Sequence, residues 1–487
     1  MLQIRSTKRL LGKYTHNTGF LLILILLFAL VLRLIFFSGM GTSDDLAYSR
    51  YAANIGKGIE PESVLTLSTR LGIIYTTAFS YKLFGINDFS SVLFVFLTSL
   101  ASIILIFYFG KLLFNEKIGL MAAFLLSFFP LDVFYSTKLF TDLPSAFFMA
   151  LGVYVFLYSE MKSRLKYGIG YMLSGIFIGI GYLIRESVLL IVLFFIIYIL
   201  YKKRVKKEYF LVPLGVLIII VFESLLFLNV TGDPLFRFNA SQKYLEDAVI
   251  QHNYFGRLDF PTGLFHYPWL FLTNNLLSFF YIFVFIAIGY AIIYRKKESY
   301  VMLLWLLPLM IYLAFGSSSL TQYIPFKAAD RYTYLFTMPA ILLLAFFLMD
   351  KNELMKKVIM PLTLMLLLIS SIGAVYLAEN VVISDNLKKL YSELKSLGKT
   401  IYLDDRSVKA IDYLSGYKNS LDLRKYPNNF SGVKDAYVVI NSDMIRRYKD
   451  VNRFMQFPDE IENPSKSWKV IKQIGKCQEA VTIYYVK

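Results

Sequence analysis

The chain has 487 residues, of which 57% are hydrophobic and 17% aromatic, and its mean hydropathy is +0.56. Soluble globular proteins are about 45–50% apolar, so this composition excludes a soluble enzyme and requires a polytopic membrane protein. The 51 Lys and Arg exceed the 34 Asp and Glu to give a net charge of +17, but the surplus falls in short clusters between apolar runs, where it reports topology rather than a nucleic-acid partner. The single Cys477 excludes an intramolecular disulfide and a thiolate metal site.

Apolar runs lie near residues 20–37, 89–110, 118–133, 142–158, 168–184, 187–201, 209–229, 269–294, 300–316, 333–349 and 357–378, which predicts about eleven spans. Basic residues Arg5, Lys8, Arg9 and Lys13 precede the first run, which is too long for a signal-peptide core and reads as an uncleaved anchor. Every second connection is basic: the N-terminus, Lys111 to Lys117, Lys162 to Lys166, Lys202 to Lys207, Arg295 to Lys297 and Lys351 to Lys357. Short cytoplasmic loops collect Lys and Arg, so these are placed inside. The same alternation decides Thr66 to Phe84, which carries Arg70 and Lys82. Counting it as a span would turn every later basic cluster outward, so it reads as an external helix on the membrane surface. The N-terminus is then cytoplasmic and the tail extracytoplasmic.

The tail changes composition. After residues 1–379, the transmembrane core with its external loop 38–88, residues 380–487 hold no membrane-length apolar run. They read as a small α/β domain: a helix near Asp385 to Leu397, a strand KTIYLDD, a helix SVKAIDYLSG, a strand AYVVINSD and a final strand AVTIYYV. Asn-x-Ser/Thr sequons at Asn229, Asn239 and Asn429 fall on or beside segments assigned to the outer face. The fold class is a polytopic α-helical membrane protein with a C-terminal extracytoplasmic α/β domain.

Ionisable groups at membrane depth or at span ends are costly and mark functional sites. The stretch GTSDDLAYSRYAANIGKG, residues 41–58, follows the first apolar run and sets Asp44 and Asp45 at the head of an amphipathic surface helix. This carboxylate pair, with Tyr48 and Tyr51 at helical spacing, is a candidate base or cation ligand. The same face collects Asp132 and Lys138 after span three, Asp142 at the start of span four, Arg185 and Glu186 between spans five and six, and Lys327, Asp330 and Arg331 before span ten. Asp44, Asp45 and Asp142 are the catalytic candidates, and Arg331, Arg185, Lys327, Lys138 and Tyr48 the candidates for holding substrate or phosphate. Several have a structural alternative. Asp142, in TDLPSAFF, can cap a helix that has Pro144 in its first turn, Arg185 can pair with Glu186, and Arg331 can snorkel to the interface. His266, in FHYPWL, reads as an interfacial belt residue beside Tyr267 and Trp269. With three His and no zinc spacing, no P-loop and no dinucleotide fingerprint, neither zinc nor a nucleotide is expected.

The chain resembles the polyprenyl-phosphate-sugar-dependent glycosyltransferases of the GT-C fold, in particular the protein O-mannosyltransferases and the lipid A aminoarabinose transferases. The residues that carry the likeness are Asp44-Asp45-Leu46-Ala47-Tyr48, Leu83-Phe84-Gly85 before span two, Tyr135 to Asp142, and Arg331-Tyr332 followed by Pro339; it covers most of residues 20–350. The resemblance implies transfer of a sugar from a polyprenyl (dolichyl) phosphate to a hydroxyl acceptor on a protein, lipid or glycan. Such a transfer suits the residues: the lipid stays in the bilayer, a carboxylate deprotonates the acceptor, and Arg or Lys stabilises the departing phosphate. A single displacement inverts the anomeric centre. Carried over, the catalytic aspartate falls on Asp44, Asp142 matches a second acidic position, and Arg331 is a phosphate-side contact. Asp45 stands where Glu is usual, which leaves either carboxylate of the pair as the base. Members differ in metal dependence, so a divalent cation is compatible with the pattern although the sequence requires no cofactor. The competing readings are a transporter or lipid-linked-sugar flippase and a noncatalytic scaffold; the absence of an inverted repeat speaks against the first.

Overall fold

The computed structural model describes residues 18–56, 66–162, 168–250, 261–317, 323–326, 328–350, 352–378, 382–418, 420–451, 457–476 and 480–487. The chain divides into two compact units, one made of residues 1–37, 62–73 and 93–379, the other of 38–61, 74–92 and 380–487.

Among the described residues seven helices are long and apolar enough to cross a membrane: Thr18–Ile35, Asp88–Leu113, Asp142–Lys162, Lys207–Thr231, Lys297–Phe315, Asp330–Leu348 and Lys357–Leu377. Ile169–Ile184 and Phe279–Ile293 are apolar but shorter. The sequence pattern of about eleven runs is therefore largely helical throughout, but seven of the runs reach spanning length unbroken. The others are interrupted for local reasons. After Glu116–Ser127 the chain turns and restarts at Pro130, whose ring suits the first turn of the short helix Pro130–Tyr135. Arg185 adopts an extended conformation (φ −157°, ψ 129°) that separates Ile169–Ile184 from the 3-10 turn Glu186–Ile191 and the helix Val192–Lys202. Asn274 ends Gly263–Thr273 before Ser278–Ile293 begins.

The centre of the first unit is the helix Tyr334–Leu348, in which every residue except Phe346 is buried. Its neighbours are fixed to it by polar handles on aromatic rings: Tyr334 donates to the Leu131 carbonyl at 3.0 Å, and the Trp305 indole to the Leu335 carbonyl at 3.1 Å. Thr18–Ile35 and Met360–Leu377 instead expose Leu27, Val31, Leu34, Leu362, Met365 and Ile369, the lipid-facing surface expected of peripheral spans. Small residues let some helices touch backbone to backbone. A Cβ on Gly175 would meet the Val212 carbonyl at 2.0 Å, and one on Gly215 the Met172 carbonyl at 2.5 Å, so these two glycines set the approach of Ile169–Ile184 to Leu211–Thr231. Arg33, the one charge in the first span, is fully buried. It donates to Ser99 Oγ at 2.8 Å and the Ser127 carbonyl at 3.0 Å and forms an ion pair with Asp132, which compensates both charges inside the bundle.

The second unit is built on a five-stranded sheet in the order β2-β1-β3-β5-β4, from β1 (Ile401–Leu403), β2 (Leu423–Lys425), β3 (Ala436–Asn441), β4 (Lys469–Ile474) and β5 (Val481–Val486). β1 lies parallel to β2 and β3; β5 runs antiparallel to both β3 and β4. The helix Asp405–Leu414 makes the crossover that a parallel β1–β2 pair demands, and Asp404 caps it by accepting from the Ser407 amide at 2.9 Å. One face of the sheet is sealed by Phe430, Val438, Ile440, Ile461, Trp468 and Val486. The expected helices and the three predicted strand segments are present. β2 and β4 are not visible in the pattern, because both are edge strands exposed along most of their length.

Candidate active site

In the first unit, charged side chains from well-separated segments converge. Asp142 begins the helix Asp142–Lys162, where a carboxylate is favoured by the helix dipole. Its Oδ1 accepts from Arg185 Nη1 at 2.5 Å, and its Oδ2 lies 3.7 Å from Arg331 Nε. Arg70 reaches Thr141 Oγ1 at 3.5 Å and Glu186 Oε1 at 3.4 Å. The other oxygen of Glu186 accepts from Arg237 at 3.4 Å, and Arg237 also donates to Glu223 at 2.6 Å. Asp330 accepts from the Tyr135 hydroxyl at 2.9 Å, Asn274 at 3.3 Å and the Arg331 amide at 2.7 Å. Aromatic faces hold the guanidiniums flat: Arg185 lies 4.7 Å from the Tyr332 ring, Arg331 4.7 Å from Phe140 and Arg237 4.2 Å from Tyr182.

Four arginines are thus fixed by carboxylates and rings. Each guanidinium offers five donors, more than a carboxylate contact consumes; the buried Nε of Arg237 makes no hydrogen bond among the described residues. Burial would raise the Glu186 carboxyl, but Arg70, Arg237 and Arg185 outweigh it and hold it down at about 2. The side chain is partly open to solvent, so the guanidinium field, not desolvation, governs it. Rigid, forked, permanently charged donors suit a phosphate.

The acidic pair belongs to the second unit. Asp45, 1% exposed, has both oxygens engaged by backbone: Oδ2 by the Gly41 amide at 2.6 Å, Oδ1 by the Ser43 amide at 2.9 Å and the Leu46 amide at 3.2 Å. It is the clamp that shapes the turn into Asp44–Gly56. Asp44, the first residue of that helix, is partly exposed, and Tyr48 is fully buried. A chain of hydroxyls fixes this helix within the unit. Ser49 Oγ lies 2.6 Å from the Tyr81 hydroxyl and accepts from Tyr417 at 2.9 Å, Tyr81 continues to Ser91 at 2.8 Å, and Tyr413 donates to Asp88 at 2.9 Å. Arg50 forms an ion pair with Asp412.

Of the sequence candidates, then, Asp142, Arg185 and Arg331 come together. Lys138 is buried with its ammonium 3.8 Å over the Phe134 ring, and Lys327 lies outside the described residues. Among the described residues no group of three or more His, Cys, Asp or Glu side chains is arranged to hold a metal ion. Arg70, Arg237 and Glu223 were missed as site residues. The available signal was Glu223 itself, a lone carboxylate inside the apolar run 209–229, which demands a cationic partner.

A multi-pass helical core with an appended mixed-sheet domain is the architecture of the GT-C membrane glycosyltransferase fold. ArnT from Cupriavidus metallidurans shares it: the apo structure matches with a TM-score of 0.61 at 12% identity over 95% of this chain and 97% of that one. The form of ArnT bound to undecaprenyl phosphate matches at 0.60 and 12% identity, over 96% and 98%. The oligosaccharyltransferase AglB from Archaeoglobus fulgidus, in complex with an inhibitory peptide and a dolichol-phosphate, matches at 0.59 and 13% identity, over 90% of this chain and 71% of that one. In sequence, residues 71–227 match the family described as dolichyl-phosphate-mannose-protein mannosyltransferase. Comparison with curated proteins finds no match.

Proposed function

We propose that the chain is a membrane glycosyltransferase that moves a sugar from a polyprenyl phosphate to a hydroxyl acceptor on the extracytoplasmic face. The observation that carries this reading is the cluster of Arg70, Arg185, Arg237 and Arg331 around Asp142 and Glu186. A fixed set of guanidiniums stabilises a phosphate most as it gains charge on departure, which is where catalysis needs it. The match of residues 71–227 to a lipid-phosphate-dependent family, and the polyprenyl phosphates bound to ArnT and AglB, support the choice of donor.

In the proposed reaction the acceptor oxygen attacks the anomeric carbon, the bond from that carbon to the phosphate oxygen breaks, and the polyprenyl phosphate leaves with the electron pair. Asp44 takes the acceptor proton, since Asp45 has both oxygens committed to the backbone. Attack opposite the leaving group inverts the sugar. Asp142 orients Arg185 and Arg331 towards the phosphate. The alternating basic clusters support a cytoplasmic N-terminus and an outward tail.

The test is transfer from radiolabelled polyprenyl-phosphate mannose, glucose and aminoarabinose to membrane acceptors, comparing wild type with Asp44→Asn and Arg331→Ala at equal expression. Wild type should move label from one donor, Asp44→Asn should lose about 10²–10⁴-fold of the rate, and Arg331→Ala should weaken donor use. No transfer by wild type from any of the three overturns the reading.

A further inference from the structure

Three sequons occur in the sequence, and their surroundings differ in ways that decide which of them a transferase could use. Asn229 sits inside the apolar helix Leu211–Thr231, and the hydroxyl of its partner Thr231 is spent on the Phe227 carbonyl at 2.8 Å. Asn239 lies in the helix Phe236–Ile250, and its Nδ2, the nitrogen that would carry a sugar, donates to Asp233 Oδ2 at 2.8 Å. Asn429 is unlike both. It is exposed and lies outside any helix or strand, and its Nδ2 makes no hydrogen bond among the described residues. Its Oδ1 instead accepts from the Ser431 hydroxyl at 2.8 Å.

The middle residue of this sequon explains the presentation. Phe430 is 5% exposed; its ring packs 5.2 Å from Trp468 and 6.0 Å from Tyr402, and its amide donates to Glu460 at 3.3 Å. With Phe430 anchored in the sheet core, its two neighbours are turned to the surface. Pro427 restricts the entry to the turn, lowering the cost of holding it in one conformation. The amide also borders an open cleft of about 610 Å³ lined by Tyr426 and Glu460, so no side chain fills the space beside it.

We propose that Asn429 is an N-glycosylation site of the tail domain. The Ser431 hydroxyl on Oδ1 holds the side-chain amide in place and leaves Nδ2 available as the nitrogen that carries the sugar. The co-reactant is a polyprenyl-linked oligosaccharide presented by a separate transferase. Nδ2 forms a bond to the anomeric carbon, the bond from that carbon to the lipid phosphate oxygen breaks, the lipid phosphate leaves with the electron pair, and one amide proton passes to a base of the transferase. The proposal depends on an outward tail but not on the catalytic activity of this chain.

The test is mass spectrometry of the full chain purified from its own cells. Tryptic cleavage after Lys425 and Lys434 releases YPNNFSGVK. The expected result is a mass increment of whole sugar residues on this peptide, located by fragmentation to Asn429, lost in Asn429→Gln and Ser431→Ala and retained in Ser431→Thr. The last variant keeps the hydroxyl and separates loss of the sequon from loss of the fold. An unmodified wild-type peptide, a glycan located on Asn239, or modification that survives Ser431→Ala would each overturn the proposal.

Discussion

Arg185 donates to Asp142 Oδ1 at 2.5 Å with both side chains almost wholly buried, at 9% and 4% exposure. Such a pair contributes little net stability when intact, because desolvating two charges offsets their attraction. Removing one partner strands the other. Arg185→Ala should therefore destabilise the protein by about 3–5 kcal/mol, towards the lower end because Arg331 lies near the same carboxylate. Arg185→Lys should restore much of the stability but little of the donor affinity, since an ammonium lacks the planar fork. Thermal unfolding in detergent and the donor KM separate the two effects; equal recovery of both by lysine would mean that the arginine is only a structural counter-ion.

Arg237 tests whether the cluster works as a unit. Its two nitrogens hold Glu223 and Glu186. Losing a charge-assisted contact costs about 1.5–3 kcal/mol, so Arg237→Gln should raise the donor KM roughly ten- to hundredfold with a smaller change in kcat. Steady-state kinetics with a fixed saturating acceptor checks this. A fall in kcat at unchanged KM would place Arg237 in the chemical step rather than in donor binding.

What is legible in the sequence depends on the physical range of each interaction. The apolar runs and basic loops are local and additive, so the helical core and the tail domain are legible in the sequence alone. Asp142, Arg185 and Arg331 were also visible, each sitting at a span end where a charge is expensive. What could not be read was pairing. The partner of Glu223, Arg237, lies on a helix that begins at Phe236, between the apolar runs 209–229 and 269–294, and nothing local to Arg70 names Glu186 as its partner. Asp45 is a sharper case. Its spacing is as suggestive of catalysis as that of Asp44, and only the three backbone amides around it reveal a structural task.

Glu186 gives the cluster a pH signature. Its carboxyl falls from an ordinary value of 4.5 to about 2 in the folded protein, because the three guanidiniums outweigh the effect of burial. A carboxylate with a depressed folded value contributes stability that is complete above the unfolded pKa and is lost as pH falls through the folded one. The contribution should thus be constant at neutral pH and fade between about pH 4.5 and 2. Unfolding midpoints of wild type and Glu186→Gln should differ at pH 7 and converge as the solution is acidified through that range. A gap that stays constant to the acid end would show that Glu186 does not titrate against these arginines.

Asp44 and Asp45 should separate cleanly when each is neutralised. Asp45 satisfies three backbone amides of the turn that starts Asp44–Gly56, one of them across four residues to Gly41. Asp45→Ala leaves buried N–H groups without an acceptor, and should cost about 2 kcal/mol or more by the measure of lost caps and charged acceptors. Asp45→Asn keeps one acceptor oxygen and should cost less. Asp44 is partly exposed at the first position of the helix, so Asp44→Asn should leave the unfolding temperature nearly unchanged. Transfer should follow the opposite order, falling about 10²–10⁴-fold in Asp44→Asn and, in protein that remains folded, much less in Asp45→Asn. Measuring unfolding and sugar transfer on the same preparations decides the assignment. An active Asp44→Asn beside an inactive but fully stable Asp45→Asn would transfer the role of base to Asp45 and make its backbone contacts the means of positioning it.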